Sequence, residues 1–277
     1  MLLVVVVGAC ARESGMDLTQ PVTPEQVRPE PGTLTGSPLD AVEPDHAATF
    51  QGSRRELADL LLAPAAFPDG MRLAQLQVDD PNGTGRIDGR WYDPRLRTQD
   101  CAINVDTPPM PTAQAVFIPG DPAEKLAGDD LFASQDALLE APLSLGIEIQ
   151  MFDEATQRDG FAEVMIEFYR SMGDLECDAF GSGLGDGDEV TDLLVADMTE
   201  VDLYDAGYPG FAFETDGLQG HALVSQYSVG DRLLLTVSVG AGGFGSSDAG
   251  EVDEVDPQLA RLAIQSQIDK LAAAGFT

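Results

Sequence analysis

His221-Ala222-Leu223-Val224-Ser225-Gln226-Tyr227-Ser228 and Leu233-Leu234-Leu235-Thr236-Val237-Ser238-Val239 flank Val229-Gly230-Asp231-Arg232. Each run alternates between apolar and polar side chains, the period of a strand with one face buried. The glycine and aspartate between them mark a tight turn, so the stretch predicts a β-hairpin. The last third of the chain thus reads as an antiparallel meander.

The same period recurs upstream. Ala74, Leu76 and Val78 alternate after the turn Phe67-Pro68-Asp69-Gly70, Ala115 to Ile118 form a second run, and Ile147, Ile149 and Met151 a third. Two segments follow the helical period instead. In Asp159 to Met172, Phe161, Val164, Met165, Phe168 and Met172 make one apolar face, with Gly173 expected to end the helix. At the C-terminus Asp256 is the expected cap, Pro257 takes the first helical position and Gly275 closes. Ala260, Ala263, Ile264, Ile268 and Leu271 form its buried face. The predicted class is α+β, an antiparallel sheet flanked by helices.

The folded part is expected to begin at Ser53. Ser53-Arg54-Arg55-Glu56 has the spacing of a capping box, with Leu57, Leu60 and Leu61 behind it and Pro64 as the stop. Before it, Pro21, Pro24, Pro29, Pro31, Pro38 and Pro44 lie among Gly, Ser, Thr and acidic residues with few apolar neighbours. Such composition reads as a disordered tether. The expected division is residues 1–9 as the remnant of a signal peptide, 10–52 as the tether and 53–277 as the domain.

Val4-Val5-Val6-Val7-Gly8-Ala9-Cys10 supplies the address. An apolar run followed by small residues is how a secretory signal ends. A cysteine directly after the small pair resembles the bacterial lipobox, in which that thiol receives diacylglycerol before cleavage in front of it. Cys10 would then be the lipidated first residue, and its acyl groups, palmitate among them, the only hold on the membrane. The other reading is a buried strand with an incidental cysteine. No basic residue precedes the run, so the lipobox reading implies a start upstream of Met1. The run is far shorter than the ~20 residues of a spanning helix.

Charge narrows the partners. The chain carries 48 acidic and 15 basic residues, net −33. Phosphate binding needs a basic patch, so nucleic acid is not an expected partner, and an anionic lipid surface would repel the domain. Attachment therefore falls to the lipid at Cys10. With Cys10 acylated, Cys101 and Cys177 remain as an even pair in an oxidising compartment, which points to a disulfide. Two free buried thiols are the competing reading. There is no CxxC pair, and His46 and His221 are far apart, so neither zinc nor another cofactor is expected. Asp80-Pro81-Asn82-Gly83-Thr84-Gly85-Arg86-Ile87-Asp88 imitates the start of a calcium loop, but Trp91 stands where the bidentate Glu belongs. It reads as a polar connection between strands.

The order of elements can be matched to a family. The lipobox, the tether, the Leu-rich helix, Phe67-Pro68-Asp69-Gly70, Gln99-Asp100-Cys101-Ala102, a helix leading to Leu175-Glu176-Cys177, a hairpin and a C-terminal helix follow in sequence. This arrangement resembles the actinobacterial sensor-domain lipoproteins, kin of the extracellular domain of mycobacterial receptor-type serine/threonine kinases. The resemblance implies an antiparallel sheet flanked by helices with an apolar cleft for a small ligand. The expected function is a lipid-anchored, non-catalytic domain on the extracytoplasmic face of the cell membrane. It would bind a small apolar ligand or an envelope protein. A secreted hydrolase acting on wall or lipid, or a structural wall spacer, are the alternatives. Against a hydrolase, the chain has no GxSxG elbow, and His221 alone is left for general base work.

Overall fold

The computed structural model describes residues 34, 36–67, 70–81, 83, 96–99, 102–105, 110–127, 141–174, 197–201, 206–217, 220–241 and 257–277. The helices are α1 (Pro44–Ala47), α2 (Ser53–Asp59), α3 (Ala155–Asp174) and α4 (Pro257–Ala273). The strands are β1 (Met71–Asp79), β2 (Leu96–Gln99), β3 (Ala102–Val105), β4 (Thr112–Pro119), β5 (Leu143–Met151), β6 (Asp197–Val201), β7 (Gly210–Gly217), β8 (Gly220–Val229) and β9 (Leu233–Ala241). Seven strands form one antiparallel sheet in the order β1-β4-β5-β9-β8-β7-β6, and β2 pairs with β3 separately. The α+β class, with its antiparallel sheet and flanking helices, is as the sequence predicts. In the predicted hairpin Val229 faces Leu233, and Gly230 takes a φ of 55° that favours glycine.

Alternation divides the sheet into two faces. On one, Ala113, Ala115 and Phe117 of β4, Leu145, Ile147 and Ile149 of β5, and Leu233, Leu235, Val237 and Val239 of β9 are all buried. The segment from Leu39 to Phe67 and helix α4 pack against that face, and Phe67 meets the Phe117 ring at 4.9 Å. Ala260, Ala263, Ile264, Ile268 and Leu271 of α4 are buried in the same core, the stripe read from their spacing. Gly275, at φ 96°, turns the chain so that the N–H groups of Gly275 and Phe276 reach the carbonyls of Ala272 and Leu271.

Four local expectations are corrected. The core draws on residues upstream of 53: Leu39, Ala41, Val42 and Phe50 are buried in it. Ser37 caps a short 3-10 turn at Pro38–Ala41, and Val42 bridges Leu126. Two of the prolines that read as tether signals, Pro38 and Pro44, sit at first helical positions, where proline is tolerated. At α2 the cap is Gly52, and the Ser53 hydroxyl donates to the Asp80 carboxylate instead of capping. In β1 a bulge between Leu73 and Gln75 inserts Ala74, which leaves the main core and packs with Ile118 and Ala141 on the other face. Helix α3 runs from Ala155 through Gly173 to Asp174, because one glycine near a helix end costs only ~1 kcal/mol.

A polar clamp joins the two ends of the described chain. Gln267 of α4 donates from Nε2 to the Leu60 carbonyl at 2.7 Å and accepts at Oε1 from the Leu62 N–H at 3.0 Å. One turn on, the Lys270 ammonium donates to the carbonyls of Gly36 and Leu61. The Leu60, Leu61 and Leu62 groups lie past the end of α2, where no helical partner exists. Burial lowers the Lys270 ammonium to about 8. Gln267→Leu keeps the side-chain volume but strands the Leu60 carbonyl and Leu62 N–H, which should cost about 2–4 kcal/mol in urea unfolding. A loss under ~0.5 kcal/mol would show that the clamp contributes nothing.

Candidate functional site

The second face of the sheet is built from the other half of each alternation. Directly opposed residues form a row across it: Gln77 on β1, Gln114 on β4, Glu148 on β5, Thr236 on β9, Gln226 on β8 and Phe211 on β7. The neighbouring row runs Asp79, Thr112, Gln150, Leu234, Ser228. On the other side of Glu148, Gly146 faces Ser238 and Ser144 faces Gly240. A Cβ added at Gly146 would come within 2.5 Å of the Ser238 Oγ, so the surface there stays low. Polar residues thus occupy the middle of a sheet whose reverse side is apolar along β4, β5 and β9.

Helix α3 covers the β6–β8 side of this face. Phe161 packs on Phe152 at 5.6 Å, and Arg158 pairs with Asp159 at 2.8 Å while donating to the Gly230 carbonyl. Arg170 holds Glu200 of β6 through two nitrogens, at 2.9 and 3.1 Å. Beside the helix lies the polar strip, where Glu148, Gln114, Thr236 and Ser238 are half-buried.

Two amides give the strip its chemical character. Gln150 and Gln226 are 4% and 2% exposed, and the Oε1 of each has no hydrogen-bond partner among the described residues. Gln226 donates from Nε2 to the Thr236 Oγ1 at 3.1 Å, so it is the NH2 end of the amide that is turned along the row. A buried acceptor left empty costs about 1–3 kcal/mol, so such atoms in a native fold call for an occupant. Strands β4, β5 and β9 carry no Lys, Arg or His to serve them. Burial pushes the Glu148 carboxyl up to about 7; a nearby positive charge opposes the rise, and the Asp79 carboxylate adds to it by less. Near neutral pH it can donate as an acid or accept as a carboxylate.

The residues singled out from sequence lie elsewhere. Cys10, Cys101 and Cys177 are outside the described residues, as are most of Asp80 to Asp88 and the Gly181-Ser182-Gly183 segment. Asp80 itself accepts from Ser53, and its carbonyl takes the Gly83 N–H at 3.1 Å. His46 is on α1 and His221 on β8. No group of three or more His, Cys, Asp or Glu side chains gathers among the described residues. None of their helices is long and apolar enough to cross a membrane. Glu148, Gln150 and Gln226 escaped the sequence reading, which followed the apolar members of the same strands. Their signal was a Glu and a Gln interleaved with Ile147 and Ile149 where Ser or Thr would suffice for solubility.

No protein-family model matches the chain, and no curated protein matches it in sequence. Among solved structures it shows weak similarity to the extracellular domain of PknH from Mycobacterium tuberculosis. The two are 12% identical over 79% of this chain and 96% of that one, with a TM-score of 0.37.

The Glu148 carboxyl makes stability depend on pH. Folded, it titrates at about 7; its ordinary value is 4.5. Between the two the folded state holds a proton that the unfolded chain releases, so stability from this group is complete below about pH 4.5 and is lost as pH rises through about 7. Glu148→Gln keeps the neutral shape throughout. It should be more stable than the parent by about 2 kcal/mol near pH 8 and indistinguishable below about pH 4 in urea unfolding. A difference that does not change with pH would place the carboxyl in open water.

Proposed function

We propose that this chain is an exported, lipid-anchored, non-catalytic domain that binds a small polar ligand on the polar face of its sheet. The observation that carries the reading is the pair of buried, unpartnered amide oxygens at Gln150 and Gln226, in a strip of half-buried polar side chains. Such acceptors in a fold are filled by an ordered water, an ion or a ligand, and the reading takes the ligand. The resemblance noted in the sequence implies an apolar cleft, but these residues favour a polar occupant.

The address rests on Val4 to Cys10. Lipid on Cys10 would hold the protein at the extracytoplasmic face of the cell membrane, and export would let Cys101 and Cys177 close a bridge.

The test uses the full chain made in an actinobacterial host. It should partition into detergent, and Cys10→Ala should not; equal partitioning of the two removes the anchor. The solubilised protein is then screened by thermal shift against sugars, amines and amino acids beside Gln226→Leu. At least one class should stabilise the parent and leave the variant unmoved. Hits that shift both equally would place the ligand elsewhere or nowhere.

A further inference from the structure

The segment 36–42 is held differently from the chain that follows it. It belongs to no strand of the sheet, and its 3-10 turn lies against α2 and β1. Leu39, Ala41 and Val42 are its buried apolar side chains. Polar ties along its length hold the rest. The Ser37 hydroxyl donates to the Asp59 carboxylate of α2 at 2.5 Å. The Lys270 ammonium donates to the Gly36 carbonyl at 2.7 Å, and the Lys125 ammonium to the Asp40 carbonyl. Leu126 brackets Val42: its N–H reaches the Ala41 carbonyl at 2.8 Å, and its carbonyl takes the Glu43 N–H at 2.9 Å.

This balance makes the segment separable. Ordering it removes backbone freedom at every residue, against a short run of buried apolar side chains. Closing it also encloses the Lys270 ammonium. Burial pushes that group down to about 8 from its ordinary 10.5, and the Asp59 and Asp40 carboxylates offset part of the fall. Little else depends on the segment. With it gone, Gln267 would still hold Leu60 and Leu62, and Lys270 would still hold Leu61, so α4 would stay clamped. Downstream, α1 buries no side chain, and the next fixed point is Phe50, buried with the Arg54 guanidinium 5.0 Å above its ring.

We propose that residues 36–42 form a releasable strap, which undocks as a unit, hinging at α1, while the sheet and α4 remain folded. Released, the strap would lengthen the connection between the domain and the chain upstream of Gly36 by up to ~25 Å. It is a latch on the domain's reach from whatever holds that upstream chain. The inference stands apart from the ligand reading, because no residue of the polar strip takes part in it.

The test is peptide-resolved hydrogen exchange on the full chain in detergent near neutral pH. The amides of Asp40, Val42 and Glu43, each bonded within the strap or to Leu126, report on the strap, and those of β9 report on the sheet. The strap should be protected relative to an unfolded chain, yet exchange through openings ~100-fold or more frequent than those of β9. Ser37→Ala removes the turn's cap and the tie to Asp59. It should raise strap exchange about fivefold and leave β9 unchanged. Leu39→Ala should raise strap exchange ~tenfold or more, again without moving β9. Strap and β9 exchanging at one rate in the parent, or both rising by the same factor in Ser37→Ala, would show that the segment leaves only when the whole domain unfolds, and would overturn the inference. A strap with no protection in the parent would overturn it equally, because nothing would then be latched.

Discussion

The register of β5 against β9 is the constraint on which both the core and the site depend. Ile147 faces Val237 and Ile149 faces Leu235 on the packed side, while Glu148 faces Thr236 on the other. A strand has a period of two, so a slip of one residue would carry every apolar side chain of β5 out of the core and bring Glu148 and Gln150 into it. Burying that carboxyl among Leu145, Phe117 and Val237 would cost far more than it costs at the strip. The dry face therefore specifies the wet one. Outward from this pair, β4 and β8 inherit the register, so Gln114 and Gln226 join the same row.

One dry face requires a cover, and the cover comes from both ends of the described chain. Leu39, Val42 and Phe50 lie under it with Leu57, Leu61 and α4. Such a layer buries irregular backbone between α2 and β1, and buried backbone polar groups need partners. Gln267 and Lys270 supply them from more than two hundred positions away, which makes a glutamine and a lysine on the inner face of α4 an asset. The low ammonium value of Lys270 is the cost of that arrangement.

Features set by neighbours along the chain were legible in the sequence. The β8–β9 hairpin and the apolar stripe of α4 needed only local alternation, helical spacing and a well-placed glycine. Features set by distant partners were not. Ala74 reads as a core residue by alternation, and only its pairing with β4 reveals the bulge that turns it away. Residues 38–50 read as tether because prolines and acids outnumber their apolar neighbours, yet Leu39 and Phe50 find a core made by α4. Ser53 has cap spacing, but the Asp80 carboxylate takes its hydroxyl. For the site, β5 already showed a Glu and a Gln between isoleucines. Their meaning required knowing that Thr236 and Gln226 stand beside them.

The account holds that Glu148 sits in an enclosed polar strip beside two buried, unpartnered amide oxygens. The most direct measurement is the pH titration of its side-chain carbonyl carbon by NMR, assigned through Glu148→Gln. The account predicts a midpoint of about 7, against 4.5 for an ordinary glutamate. A midpoint near 4.5 would show an open, solvated carboxyl, and the site built around it would not stand.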